Sequence, residues 1–227
     1  TDVDFNIIEQ VYSWDEIAIS DVTGFYKNYL PKSIIESILQ LYGDKTELKD
    51  VKGSEVEYLL SKGMLNSVYG MSVTDFIKDD HVYNESWEVE KVDVTEKVKE
   101  YNESKTRFLF YPWGIWVTAY ARRNLWSAIL AVGEDYIYSD TDSVKMLNYD
   151  KHKSYVEKYN QHVTKKLELM MDYYSLDKKL LAPKTITNKS KPLGVWDYEG
   201  HYTKFKTLGA KRYLVLENGH YHITVAG

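Results

Sequence analysis

Two acids with one residue between them, Asp140 and Asp142 in Tyr138-Ser139-Asp140-Thr141-Asp142-Ser143, are the side chains here best suited to chemistry. The β-prone run Asp135-Tyr136-Ile137-Tyr138 precedes them, and Ser143-Val144-Lys145-Met146-Leu147 alternates polar and apolar residues after them. That pattern predicts a tight hairpin with the acids at its tip. In a strand, side chains i and i+2 share a face, so the two carboxylates stand side by side unless the turn rotates one of them. Two unpaired carboxylates that close repel each other and raise a pKa, and a cation between or beside them relieves this. Oxygen-only ligation with no Cys or His in the motif favours Mg²⁺ or Mn²⁺ over zinc. Asp, Thr and Ser are also ordinary turn residues, so the hexapeptide alone fits a plain hairpin turn as well.

A second set lies upstream in Lys62-Gly63-Met64-Leu65-Asn66-Ser67-Val68-Tyr69-Gly70. On a helix, Lys62, Asn66, Tyr69 and Gly70 fall at i, i+4, i+7 and i+8, which places them on one face able to meet one ligand. A Lys is a point charge suited to phosphate oxygens, Tyr can stack on a base or crowd a sugar, and Gly lets backbone approach closely.

The 62–70 stretch resembles the Lys-x-x-x-Asn-Ser-x-Tyr-Gly motif of family B DNA polymerases, and the Tyr-x-Asp-Thr-Asp-Ser hairpin resembles the same family's metal-binding motif. Lys211-Arg212-Tyr213 is similar to the family's Lys-x-Tyr element, in the right order and at the right separation. The likeness is to the protein-primed branch of small phages and linear plasmids. It covers nearly the whole chain, including the Gly24-Phe25 entry to the fingers, Trp116-Val117-Thr118-Ala119-Tyr120-Ala121-Arg122, and Leu193-Gly194-Val195-Trp196. The resemblance implies a DNA-directed DNA polymerase acting by two-metal nucleotidyl transfer, with Asp142 and Asp140 as catalytic metal ligands for Mg²⁺ or Mn²⁺. It implies that Lys62, Asn66, Tyr69 and Gly70 bound the nucleotide pocket, joined by Lys49 as a second phosphate-binding Lys for which Lys52 is a rival. Lys211 and Tyr213 would hold the primer, with Thr141 and Ser143 as further DNA-binding positions. The partners so implied are primer-template DNA, deoxynucleoside triphosphates and a terminal priming protein, in the cytoplasm of the host and without a membrane.

The family's first catalytic motif, Asp-x-x-Ser-Leu-Tyr-Pro, has no match. Asp21-Val22-Thr23-Gly24-Phe25-Tyr26 departs from it, with Gly for Ser, Phe for Leu and Lys27 for Pro. Asp21 therefore reads as a loop or cap residue. On this reading the 227 residues are a fragment of a longer polymerase, expected to be inactive alone. Two other readings remain open: a non-catalytic structural or nucleic-acid-interaction piece, and a metal-dependent nuclease built on Asp140 and Asp142, which leaves the 62–70 face unexplained.

Composition bounds these readings. A net charge of −5 argues against a dedicated basic DNA-binding module. The charge is uneven, however: acids crowd residues 85–103, whereas Lys184, Lys189, Lys191, Lys204, Lys206, Lys211 and Arg212 make the last quarter locally basic. Absence of cysteine excludes disulfides and Cys-ligated zinc and fits a reducing cytoplasm. No apolar run approaches the ~18 residues of a membrane span.

The elements that must position these residues follow from periodicity. A short helical pattern (Ile7, Ile8, Val11, Tyr12) and a strand-like run at 16–20 form a palm entry segment, 1–23. Ile34, Ile35, Ile38, Leu39 and Leu41 predict a helix from Pro31 to about Tyr42, stopped by Gly43. Val56, Leu59, Leu60, Met64 and Leu65 predict a second over about 54–69, with its stripe in the core and a capping box formed by Ser54 and Glu57. Together these make a fingers helical hairpin, 24–70. Residues 71–112 are an insertion and return to the palm, strand-like at 87–94 and helix-compatible at 95–101. Residues 113–227 are the palm: a helix at 114–133, the metal hairpin, a helix at 151–174, and β-like runs at 194–198, 202–207, 211–217 and 220–225, the last pair joined by Asn218-Gly219. The class expected is α+β, an antiparallel palm sheet with helices on one face.

Overall fold

The computed structural model describes residues 1–225; the last two residues of the expected palm segment lie outside it. The elements run α1 (Asp2–Val11), α2 (Lys32–Leu48), α3 (Glu55–Ser72), β1 (Asp80–Asn84), β2 (Ser86–Glu90), α4 (Val94–Glu103), α5 (Tyr111–Val132), β3 (Tyr136–Asp140), β4 (Ser143–Met146), α6 (Tyr149–Tyr174), β5 (Lys204–Gly209), β6 (Arg212–Glu217) and β7 (His220–Val225). The fold is mixed α+β with small antiparallel sheets. Those sheets are separate: β1-β2, β3-β4 and β5-β6-β7. The chain divides into two compact units, one built mainly from 30–120 with 183–189, the other from 2–29, 121–182 and 190–227.

In the first unit, α2 and α3 form a helical hairpin. The Pro31 carbonyl accepts from the Ile34 and Ile35 amides at the head of α2, and Ile35, Leu39 and Thr46 are its buried side chains. Gly43 does not stop this helix, which runs on to Leu48; Thr46 continues the buried stripe, its hydroxyl donating to the Tyr42 carbonyl at 2.8 Å. On α3 the buried residues are Ser61 and Ser72, with Leu65 and Val68 half-buried between them. These recur at i, i+4, i+7 and i+11, one helical face. The stripe expected in the core is instead exposed: Val56 at 67%, Leu59 at 61%, Leu60 at 59% and Met64 at 58%. The buried face of α3 is therefore lined by small and half-buried residues, with the bulkier apolar side chains turned away. The capping box is absent too. Ser54 makes no side-chain cap bond, and the Glu55 carboxylate accepts from the Gly53 amide at 3.2 Å.

Further along the same unit, β1 and β2 pair around Glu85, whose φ of 60° gives the left-handed turn residue. Every residue of both strands is exposed. Asp93 caps α4 by accepting from the Thr95 and Glu96 amides at 2.8 and 3.1 Å. Tyr101 then stacks on Phe76, with ring centroids 4.2 Å apart, and its hydroxyl accepts from the Phe108 and Leu109 amides. Gly114 is required at the head of α5, because a Cβ there would stand 1.9 Å from Val73 Cγ1.

In the second unit, Arg122 on α5 grips Asp4 on α1 with two bonds of 2.8 and 3.1 Å. Ala128 and Val132 on α5 and Met171 on α6 are buried, Met171 completely. The expected strand at 16–20 is absent: Ile17 and Ile19 are exposed, and an isolated apolar run without a partner strand does not hold a sheet. The expected strand at 194–198 is absent for a different reason. Asn160 on α6 takes both backbone groups of Trp196, donating to its carbonyl and accepting from its amide at 2.8 Å each, so neither is left for a ladder. Asn218 and Gly219 both have positive φ, 50° and 81°, the primed turn that joins β6 to β7. Among the described residues no helix is long and apolar enough to cross a membrane.

Candidate functional site

The predicted hairpin is formed by β3 and β4. Asp140 pairs with Ser143, so Thr141 and Asp142 are its two-residue loop. Thr141 takes the left-handed conformation, φ 51°, which rotates the chain between the two acids. The Asp140 carbonyl accepts from the Asp142 amide at 2.6 Å and from the Ser143 hydroxyl at 3.2 Å. Thr141 donates its hydroxyl to Asp140 Oδ1 at 2.9 Å. Asp140 is half-buried and its carboxylate is oriented by this bond, while Asp142 is exposed at the tip. Thr141 and Ser143 thus serve the shape of the loop.

What fixes the base of the hairpin is a cluster that sequence reasoning missed. Asp135, buried just before β3, accepts from Asn148 Nδ2 at 2.9 Å, Lys151 Nζ at 2.9 Å and His152 Nε2 at 2.8 Å. The Asp135 carbonyl also accepts from the Leu147 amide at 2.8 Å, tying the two ends of the hairpin together. Lys151 first, then His152 and Asn148, hold the Asp135 carboxyl well below the usual carboxylate range. The four residues span two elements and carry no shared pattern; only an Asn-x-x-Lys-His run at a helix head could have hinted at a buried acid.

The top of the hairpin meets the β5-β6-β7 sheet. Tyr138, buried on β3, lies 5.5 Å from the Phe205 ring on β5 and 5.4 Å from the Tyr213 ring on β6. Its hydroxyl accepts from the Lys211 amide at 2.9 Å. Lys145, opposite Tyr138 on β4, places its Nζ 5.4 Å from the Tyr213 ring and 5.5 Å from the Tyr202 ring. Burial, and then the Glu217 charge, push the Tyr202 hydroxyl pKa up. Lys211, expected to begin a strand, is instead a turn residue with φ 57°, ahead of Tyr213 on β6. This unit therefore brings Lys211 and Tyr213 against the strand that carries Asp140.

In the other unit, Lys62, Asn66 and Tyr69 are exposed on α3, and a Cβ added at Gly70 would meet nothing within 4 Å. Lys62 Nζ lies 6.0 Å from the centre of the Tyr58 ring. Lys49 follows the end of α2, and both it and Lys52 line an open recess of about 560 Å³ that Tyr58 also lines. Tyr58 thus touches the surroundings of both Lys49 and Lys62. Lys49 and Lys52 reach the same recess.

Among the described residues no group of three or more His, Cys, Asp or Glu side chains is arranged to hold a metal ion. Mg²⁺ is commonly bound by one or two carboxylates together with waters and substrate phosphates. Asp140 and Asp142 are carboxylates of the kind such a site uses. No protein-family model, curated protein or solved structure matches the chain.

Proposed function

We propose that the protein is part of a DNA-directed DNA polymerase of the protein-primed family B type, joining deoxynucleoside triphosphates to a primer 3′ hydroxyl. What supports the reading is the neighbourhood of Tyr138. The Asp140–Asp142 hairpin and the Lys211–Tyr213 turn, motifs some 70 residues apart, meet there through three aromatic rings and one hydrogen bond. Metal chemistry and primer-holding chemistry are needed within one substrate's reach, and a plain hairpin turn needs no such neighbour.

Asp142 and Asp140 would hold Mg²⁺ or Mn²⁺, which when bound lowers the pKa of the attacking hydroxyl and neutralises the triphosphate. Thr141 keeps the Asp140 carboxylate aimed. Lys62 and, through the recess it lines, Lys49 supply charge for phosphate oxygens. Asn66, Tyr69 and the open space beside Gly70 bound the sugar and base. Lys211 and Tyr213 hold the primer strand. Primer-template DNA and a terminal priming protein are the partners, and a chain without cysteine suits a cytoplasmic setting.

A second reading, a nucleic-acid-binding piece without chemistry, is favoured by one observation: the hairpin offers two carboxylates and no third acid joins them among the described residues. Primer extension separates the two. The product of the complete gene and its Asp142→Asn variant are compared with primed template, all four triphosphates and Mg²⁺. Extension that the substitution removes supports the polymerase; template binding without extension in either protein supports the second reading.

A further inference from the structure

Resting on the polymerase reading, we propose that Tyr138 is a positioning residue: its hydroxyl locks the primer-holding turn at Lys211 to the hairpin that carries Asp140 and Asp142. Three observations converge on this.

Tyr138 lies two residues before Asp140 on the same short strand, so its displacement is the displacement of the acid. It is buried, and its ring is fixed between Phe205 and Tyr213, which stack on each other at 5.5 Å, so the hydroxyl has little freedom to move. The acceptor role is equally constrained. The bond it accepts comes from the backbone amide of Lys211, not from a side chain, and so it fixes the path of the turn itself.

That turn needs fixing. Lys211 holds a φ of 57°, a conformation that a residue with a Cβ seldom adopts unless its surroundings impose it. The β5–β6 register slips between Thr207 and Gly209 just before it. Thr207 spans the slip with its hydroxyl, which accepts from the Gly209 amide at 3.1 Å and lies 3.2 Å from the Arg212 carbonyl. Thr207 closes the turn on itself, but it belongs to the same hairpin as Lys211 and cannot set the turn's distance from the acids. Tyr138 can, because it belongs to the other sheet. In-line transfer between a primer terminus and a metal-bound phosphate depends on sub-ångström placement, and a misplacement of about 1 Å can lower a rate by about a hundredfold. A bond across the two sheets is therefore a device for rate, beyond its part in packing.

The experiment uses the product of the complete gene, with primer extension at saturating DNA. Tyr138→Phe keeps the ring and removes only the acceptor. The expected result is a fall in kcat of about five- to tenfold, the scale of one lost neutral hydrogen bond. The nucleotide KM stays unchanged, and the Lys211 amide exchanges hydrogen faster by a similar factor. A purely structural Tyr would move the melting temperature and leave this split between kcat and KM unseen. Should Tyr138→Phe fail to fold, replacing the Lys211 amide by an ester removes the donor with Tyr138 intact, and the same loss of kcat is expected. Unchanged kcat in whichever of the two folds overturns the proposal. Asp142→Asn, run alongside, tells the two levels apart. If it too extends primers normally, the polymerase reading falls and the positioning role with it; if it is inactive while Tyr138→Phe is normal, only the positioning role falls.

Discussion

The β3–β4 hairpin and helix α3 carry the two sets of residues most suited to chemistry, and they are held in place by opposite means. The hairpin is pinned from both ends. Asp135 gathers Asn148, Lys151 and His152 at its base, and Tyr138 meets Phe205, Tyr213 and the Lys211 amide near its tip. Helix α3 packs against α2 and presents Lys62, Asn66 and Tyr69 by its periodicity, on an exposed surface that includes Val56, Leu60 and Met64. One group of side chains is positioned by hydrogen bonds and rings from distant segments, the other by a helix packed in a helical hairpin. On the polymerase reading the carboxylates, as metal ligands, tolerate little displacement, whereas Lys62, a point charge on a flexible stem, can meet phosphate oxygens over a range of positions.

The comparison breaks first at Asp142. It is exposed at the tip of a hairpin whose shape depends on backbone and on Thr141, Ser143, Asp135 and Tyr138, so removing its charge leaves the fold alone. Asp142→Asn is expected to lower primer extension by at least about a thousandfold, the equivalent of several kcal/mol of lost metal stabilisation, with an unaltered melting temperature. Asp140→Asn should impair extension heavily as well. Near wild-type extension by Asp142→Asn at millimolar Mg²⁺ would remove the chemical half of the comparison.

A smaller effect is expected on α3. Lys62→Ala should raise the apparent nucleotide KM about ten- to a hundredfold, the scale of one charge-assisted contact to phosphate, and leave binding of primed DNA unchanged. The opposite outcome, a normal KM with weakened DNA binding, would make the α3 face part of a duplex groove.

Sharper still is a test of what pins the hairpin. Folding lowers the Asp135 pKa, chiefly through Lys151 and His152. A carboxyl depressed in the folded state contributes fully above its unfolded pKa, near 3.9, and that contribution is lost as pH falls through the lower folded value. The melting temperature of Asp135→Asn should therefore lie below wild type by a steady margin from about pH 7 to pH 5, and the margin should narrow below about pH 4. A margin that persists undiminished to pH 2 would mean that the cluster acts through shape and not through charge.

The sequence was most legible where a pattern is local. The hairpin around Thr141 and Asp142, the Asn218-Gly219 turn and the helices on either side of residue 50 follow from period and turn chemistry. It was least legible where a distant partner decides. Nothing near Trp196 announces that Asn160 will take both its backbone groups and forbid a strand. Nothing near Asp135 announces three donors from α6 and the residue before it. The α3 stripe misled for a related reason: apolar periodicity marks a face, but which face is buried is decided by the neighbours, and here it is the face carrying Ser61 and Ser72.

That last error can be turned into the most delicate test. Leu60 sits on the expected core stripe yet is 59% exposed, whereas Met171 on α6 is fully buried. Truncating a buried aliphatic side chain costs about 2–5 kcal/mol, because transfer free energy is lost and a cavity is left. A mostly exposed side chain forfeits little of either, and surface substitutions usually stay within about 0.5 kcal/mol. In chemical denaturation of the 227-residue chain, Met171→Ala should therefore lose stability in the first range and Leu60→Ala should stay within the second. The pair reports on one physical question, since both changes remove similar apolar volume from a long helix. A loss of about 2 kcal/mol or more at Leu60 would show that the outer face of α3, and not only the face packed toward α2, is covered in solution.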